Sequence, residues 1–175
     1  MLECQQTESG TVNAILIFKR EELLYDIKNM AFVEGDLMTD EFMHQRHIVQ
    51  DIGEEGNVDR VTRVLDLTIA EIREMLYPYT KHDLHDMVLD NRFTVSKMYG
   101  IVLTVPETFS QTTLSLLERL IHEVLICKVL ADWLRIAHPE KAVSWIEKSE
   151  EALTKIKHIL HSRMQKLRIR PHWLS

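Results

Sequence analysis

A chain of 175 residues with 45% apolar and 27% charged residues, five Gly and four Pro has the size and make-up of one well-buried domain with few long irregular segments. Its two cysteines, Cys4 in a polar leader and Cys127 in an apolar stretch, have no spacing for a disulfide scaffold or a thiolate metal site, and a reducing, cytoplasmic setting fits them. The net charge of -6 is unevenly spread: residues 152–175 carry six Lys or Arg and no acid, so 15 bases face all 27 acids in the rest of the chain, -12 against +6. An acidic body repels nucleic acid at long range, which leaves the basic end as the surface for phosphate or an acidic protein.

Residues 1–10 lack a basic start and an apolar core, so they read as a flexible leader and not as a secretion signal. Thr11 to Phe18, β-branched and apolar, is too short for a typical helix and predicts a strand. A helix follows over 20–31, with Leu23, Ile27 and Met30 on one face and Glu21 and Glu22 favoured by the helix dipole in the first turn. The Val33 to Met38 stretch, with Gly35, ends it. Thr39 or Asp40 then caps a short helix that turns Phe42, Val49 and Ile52 inward, and Gly53 and Gly56 mark a break.

Asn57 is a suitable N-cap for the clearest amphipathic helix, in which Val58, Val61, Leu65, Ile69, Ile72 and Leu76 recur at helical spacing until Pro78. Arg92 to Val105 predicts one or two strands, interrupted near Gly100, that pair with Thr11 to Phe18. From Ser110 a helix apolar on most sides suits a central position among neighbouring helices or subunits. Its strongly apolar run from Leu114 to Ala137 contains Glu118, Arg119, Glu123, Lys128, Asp132 and Arg135, so it is not expected to cross a membrane. Pro139 fits the first position of a second helix, giving an αα-hairpin that turns at His138. On that arm Val143, Ile146, Leu153, Ile156, Leu160 and Leu167 form the inward stripe, Glu147 to Glu151 face water, and Trp133 and Trp145 pack the two arms together near the turn. The expected fold is mainly α: one domain over 11–167, a helical bundle built on the C-terminal hairpin, with a small β element from the N-terminal strand and the 87–105 region.

Candidate chemistry is sparse. Glu41 and His44 form a Glu-x-x-His pair with His47 one turn on, but a dimetal centre needs a second such pair and further carboxylates. His82, Asp83, His85 and Asp86 are acceptable metal ligands without a framing motif, so a solvated surface is the simpler reading of both clusters. Cys127, among Leu, Ile and Val, behaves as a small hydrophobe, and His122 beside Glu123 reads as a packed or interface histidine. Neither a Gly-x-Ser-x-Gly turn nor a phosphate-cradling glycine loop occurs. The expectation is a protein that is not an enzyme and needs no metal or organic cofactor. Beyond Pro171, Trp173 stands near Arg168 and Arg170, a composition enriched at binding hot spots, and residues 168–175 read as a basic aromatic tail that docks on a partner.

Residues 57–80 and the stretch from Leu116 to Leu160, the latter with a Trp and then Glu-Glu-Ala-Leu in its second arm, resemble the head-to-tail adaptor, or connector, proteins of tailed bacteriophages. The resemblance implies a non-enzymatic virion subunit, made in the cytoplasm of a bacterial host, that forms a homo-oligomeric ring between portal and tail proteins. Packaged DNA would pass through it without sequence-specific binding. Two other classes fit the same residues: a cytoplasmic helical scaffold or regulator acting as a homo-oligomer, and a nucleic-acid-binding protein using the basic C-terminal stretch.

Overall fold

The computed structural model describes residues 2–7, 11–38, 43–79 and 97–164. The central strand of the sheet is β2 (Thr11–Lys19), whose alternate residues Ala14, Leu16 and Phe18 are buried. Strand β3 (Met98–Pro106) pairs with it antiparallel, setting buried Leu103, Ile101 and Tyr99 opposite those three residues, so a single face of the sheet meets the core. β3 continues unbroken through Gly100, where the sequence predicted an interruption. The expected flexible leader is corrected in part, because Leu2–Thr7 forms strand β1, paired antiparallel with β2 from Leu2↔Leu16 to Thr7↔Thr11. The strand order is β1-β2-β3.

β3 is the last strand of the sheet among the described residues, and it carries a specific cap. Arg20 N–H donates to Lys97 O at 3.0 Å, continuing the ladder one residue past the paired strands. Hydrogen-bonded positions alternate in an antiparallel pair, so the Gly100 carbonyl points away from β2. The Arg73 guanidinium donates to that carbonyl through Nε and Nη2, at 3.1 and 2.7 Å, tying the edge to the third helix.

Helix α1 (Arg20–Asp36) follows β2 directly and buries Leu23, Ile27, Ala31 and Gly35 at four-residue spacing. It runs through Gly35 because the second helix packs there. A Cβ at that position would lie 2.7 Å from Gln50 Cγ. Helix α2 (Met43–Gln50) buries Val49, and a 3-10 turn, Asp51–Gly53, buries Ile52, as expected. Thr39, Asp40 and Phe42 lie outside the described residues. Helix α3 (Glu55–Leu76) has Glu54, not Asn57, at its N-cap, and the Asn57 amide instead donates to Asp51 O at 2.8 Å. Its apolar stripe from Val61 to Leu76 is buried as predicted, and Pro78 stands in a closing 3-10 turn.

Helix α4 (Gln111–Ala137) begins after Ser110 and is buried on almost every side between Val124 and Leu134. Its cover comes from the same chain, since α4 touches α1, α2, α3, β2 and the last helix. Each fully buried Leu, Ile or Val on it contributes about 1.5–3 kcal/mol relative to exposure. Helix α5 (Pro139–Met164) completes the hairpin, with the turn at His138 as expected. Its seam is made of Ala142, Ser149, Ala152, Ile156 and Leu160, and the predicted stripe residue Val143 is 52% exposed. Small side chains let the two helices approach closely, and the Ser149 hydroxyl is satisfied by donating to Ile146 O at 2.8 Å.

Trp133 also departs from expectation. It is 5% exposed and its indole N–H donates to Ile48 O at 3.1 Å, while the Arg60 guanidinium sits 5.6 Å from the ring, so it joins α4 to α2 and α3. Trp145 lies half-buried against the core under the Lys148 ammonium. The fold is mainly α with a small β element, and among the described residues no helix is long and apolar enough to cross a membrane.

Candidate docking surface

Among the described residues, the side chains singled out for chemistry do not converge. Arg168, Arg170 and Trp173 lie outside the described residues, as do Glu41, His82, Asp83, His85, Asp86 and Leu167. His44 and His47 are exposed on α2, and among the described residues no three His, Cys, Asp or Glu side chains are placed to hold a metal ion. Burial, with the Glu123 carboxylate nearby, pushes the Cys127 thiol up to about 11, so it is a thiol and not a nucleophilic thiolate at neutral pH. His122 Nε2 lies 2.8 Å from Asp26 Oδ2 and its ring is 6.5 Å from that of Phe18, which makes it a half-buried link between α4 and α1.

The surface is more informative. Tyr25 and Phe32, seven residues apart on α1, share a face turned away from buried Leu23 and Ile27 and are 70% and 54% exposed. They line an open groove of about 710 Å³ between α1 and the Asp51–Glu55 segment. Three acids, Asp51, Glu54 and Glu55, border it on that side. Among the described residues its cation is Lys28, whose stem crosses Gly53 so closely that a Cβ there would come 2.4 Å from Lys28 Cε. The seven-residue spacing of Tyr25 and Phe32, although not singled out above, was legible in the sequence as a shared face of α1. The acidic border was not, because it comes from residues about 20 to 30 positions away.

A further set of exposed apolar side chains gathers where the hairpin turns. The Lys141 ammonium contacts Glu34 Oε2 at 2.8 Å and Glu34 O at 3.1 Å, and Arg46 pairs with Asp36. These contacts tie the end of α1 to the starts of α5 and α2. Val33, Leu37, Met43, Ile136 and Val143, all within five residues of a tied position, are each more than half exposed.

No protein-family model matches the chain, and no curated protein or solved structure matches it.

Proposed function

We propose that the chain is a non-enzymatic structural subunit that associates with copies of itself as a ring and joins two parts of a larger particle. The resemblance gives that role its concrete form, a head-to-tail adaptor seated on a phage portal. The observation that carries the reading is the contrast between a helical core closed within one chain and the large apolar side chains left in water at the hairpin turn. Apolar patches of this kind, rimmed by charge, are the usual mark of an association surface. The -12 balance of residues 1–151 supports a lumen through which DNA slides without adhering.

The test is the mass of the purified full chain by mass photometry, with negative-stain images and, if a portal gene adjoins this one, a pull-down by its product. A ring that dissolves in a Leu37→Glu, Val143→Glu variant of unchanged helicity is the expected result. A monomer at every concentration refutes self-association, and a dimer without portal binding favours the scaffold.

A further inference from the structure

The groove beside α1 has the chemistry of a receptor for the segment that ends this sequence. Among the described residues its wall is two exposed aromatic rings and its border three carboxylates against one ammonium. Residues 165–175 supply the complement: Lys166, Arg168 and Arg170 with no acid, and one large aromatic, Trp173. An aromatic anchor flanked by arginines, set against an acidic and aromatic cleft, combines the two residue types most enriched at binding hot spots with favourable charge.

Geometry decides which copy provides the segment. The Lys148–Glu123 ion pair on the hairpin lies level with the His122–Asp26 contact to α1, next to Tyr25. From Lys148, α5 runs away from the Glu34–Lys141 end for 16 residues to Met164, about 24 Å at 1.5 Å per residue. Lys28 and the Asp51–Glu55 segment lie further towards the opposite end. Arg168 is four residues past Met164, a span of at most about 14 Å even fully extended, and Trp173 is nine residues past it, at most about 32 Å. Arg168 therefore falls short of the acids of its own copy, and Trp173 would spend about three quarters of its reach on the axial distance to the level of Tyr25 alone. We infer that the groove formed by Tyr25, Phe32, Asp51, Glu54 and Glu55 receives residues 165–175 of a neighbouring copy, Trp173 against the two rings and Arg168 and Arg170 against the carboxylates. This rests on the self-association proposed above and names its contact: each subunit offers a groove to one neighbour and a tail to the next, the head-to-tail arrangement that closes into a ring.

A photo-crosslinking amino acid placed at position 173 in the full chain tests it, with equal parts of heavy- and light-isotope protein mixed before irradiation. The expected products join position 173 to peptides containing Tyr25–Phe32 or Gln50–Glu55, and half of them pair heavy with light. Glu54→Lys with Glu55→Lys, or Arg168→Glu with Arg170→Glu, lowers their yield at least about tenfold with unchanged circular dichroism, and the two changes combined restore it. Crosslinks to other surfaces, crosslinks confined to one copy, or no crosslinks overturn the inference. Mass photometry and the portal pull-down on the same samples separate the two readings. A ring that persists without groove crosslinks sinks this contact alone, whereas groove crosslinks without portal binding sink the adaptor role alone.

Discussion

Replacing Trp133 by Phe isolates the contact that ties the hairpin to α2. The indole N–H donates to Ile48 O at 3.1 Å in a region almost closed to water, and such a hydrogen bond contributes about 0.5–1.5 kcal/mol net. The smaller ring also leaves part of the indole site unfilled, for about 1 kcal/mol more on the scale of large-to-small core changes. Arg60, stacked 5.6 Å from the ring and paired with Asp132 at 2.9 Å, is substantially exposed and adds well under about 1 kcal/mol. The expected loss for Trp133→Phe is thus about 2 kcal/mol, and for Trp133→Ala, which removes the ring as well, about 3–5 kcal/mol. Urea unfolding followed by far-UV circular dichroism measures both, through a lower midpoint at constant slope. In melting temperature the Phe variant should fall by about 4–8 °C, at roughly 2–4 °C per kcal/mol for a chain of this size. A Phe variant within about 1 kcal/mol of the parent refutes the assigned link, because an indole that merely filled the seam between α4 and α5 would lose only the packing share and make no use of its N–H.

Three other outcomes are expected. Gly35→Ala should destabilise by about 1 kcal/mol or more in the parent, where the new Cβ meets Gln50 Cγ at 2.7 Å, yet stabilise by up to about 1 kcal/mol in a Gln50→Ala background, where only helix propensity remains; thermal melts of the four variants test the reversal. Stability should decline above pH 9, since Cys127 goes from 9.0 unfolded to about 11 folded: between these values the unfolded thiol has lost its proton and the folded one has not, so each rise in pH favours unfolding, and Cys127→Val should flatten that part of the urea-midpoint profile. Protein purified without a histidine tag should hold substoichiometric zinc and iron by elemental analysis, and one equivalent lost on changing His44, His82 or His85 to Ala would contradict the cofactor-free expectation.

The elements with a strong periodic signal were legible in the sequence. The stripe of α3, the helical hairpin with Pro139 after the turn, and the strand at Thr11 all lie where apolar spacing placed them. What was missed depends on packing and pairing partners and not on local apolar spacing. β1 is polar, and its pairing with β2 defines it; Gly35 stays helical because Gln50 packs against its bare Cα; Trp133 turns to Ile48, 85 residues earlier. The α5 seam was misread for a different reason. Counting large apolar residues selects Val143, whereas close helix packing uses Ala142, Ser149 and Ala152. Of the candidate site, the basic tail was visible as composition, and the groove became visible only once the fold had brought the Asp51–Glu55 segment beside α1.

The sheet has a consequence for how the chain is made. Its β2–β3 register joins Thr11 to Pro106, and α4, which covers the apolar face of the first three helices, follows later still. At about 5–20 residues per second, the ribosome releases β3 roughly 4–17 seconds after β2. A β1–β2 ribbon alone is marginal in water, and pairing between such distant segments is slow. The nascent chain therefore waits with Ala14, Leu16 and Phe18, and the inner faces of α1 and α3, uncovered. Fragments ending before Met98 should be recovered bound to chaperones or in inclusion bodies, while the α4–α5 hairpin, built from contacts close in sequence, forms within moments of leaving the exit tunnel.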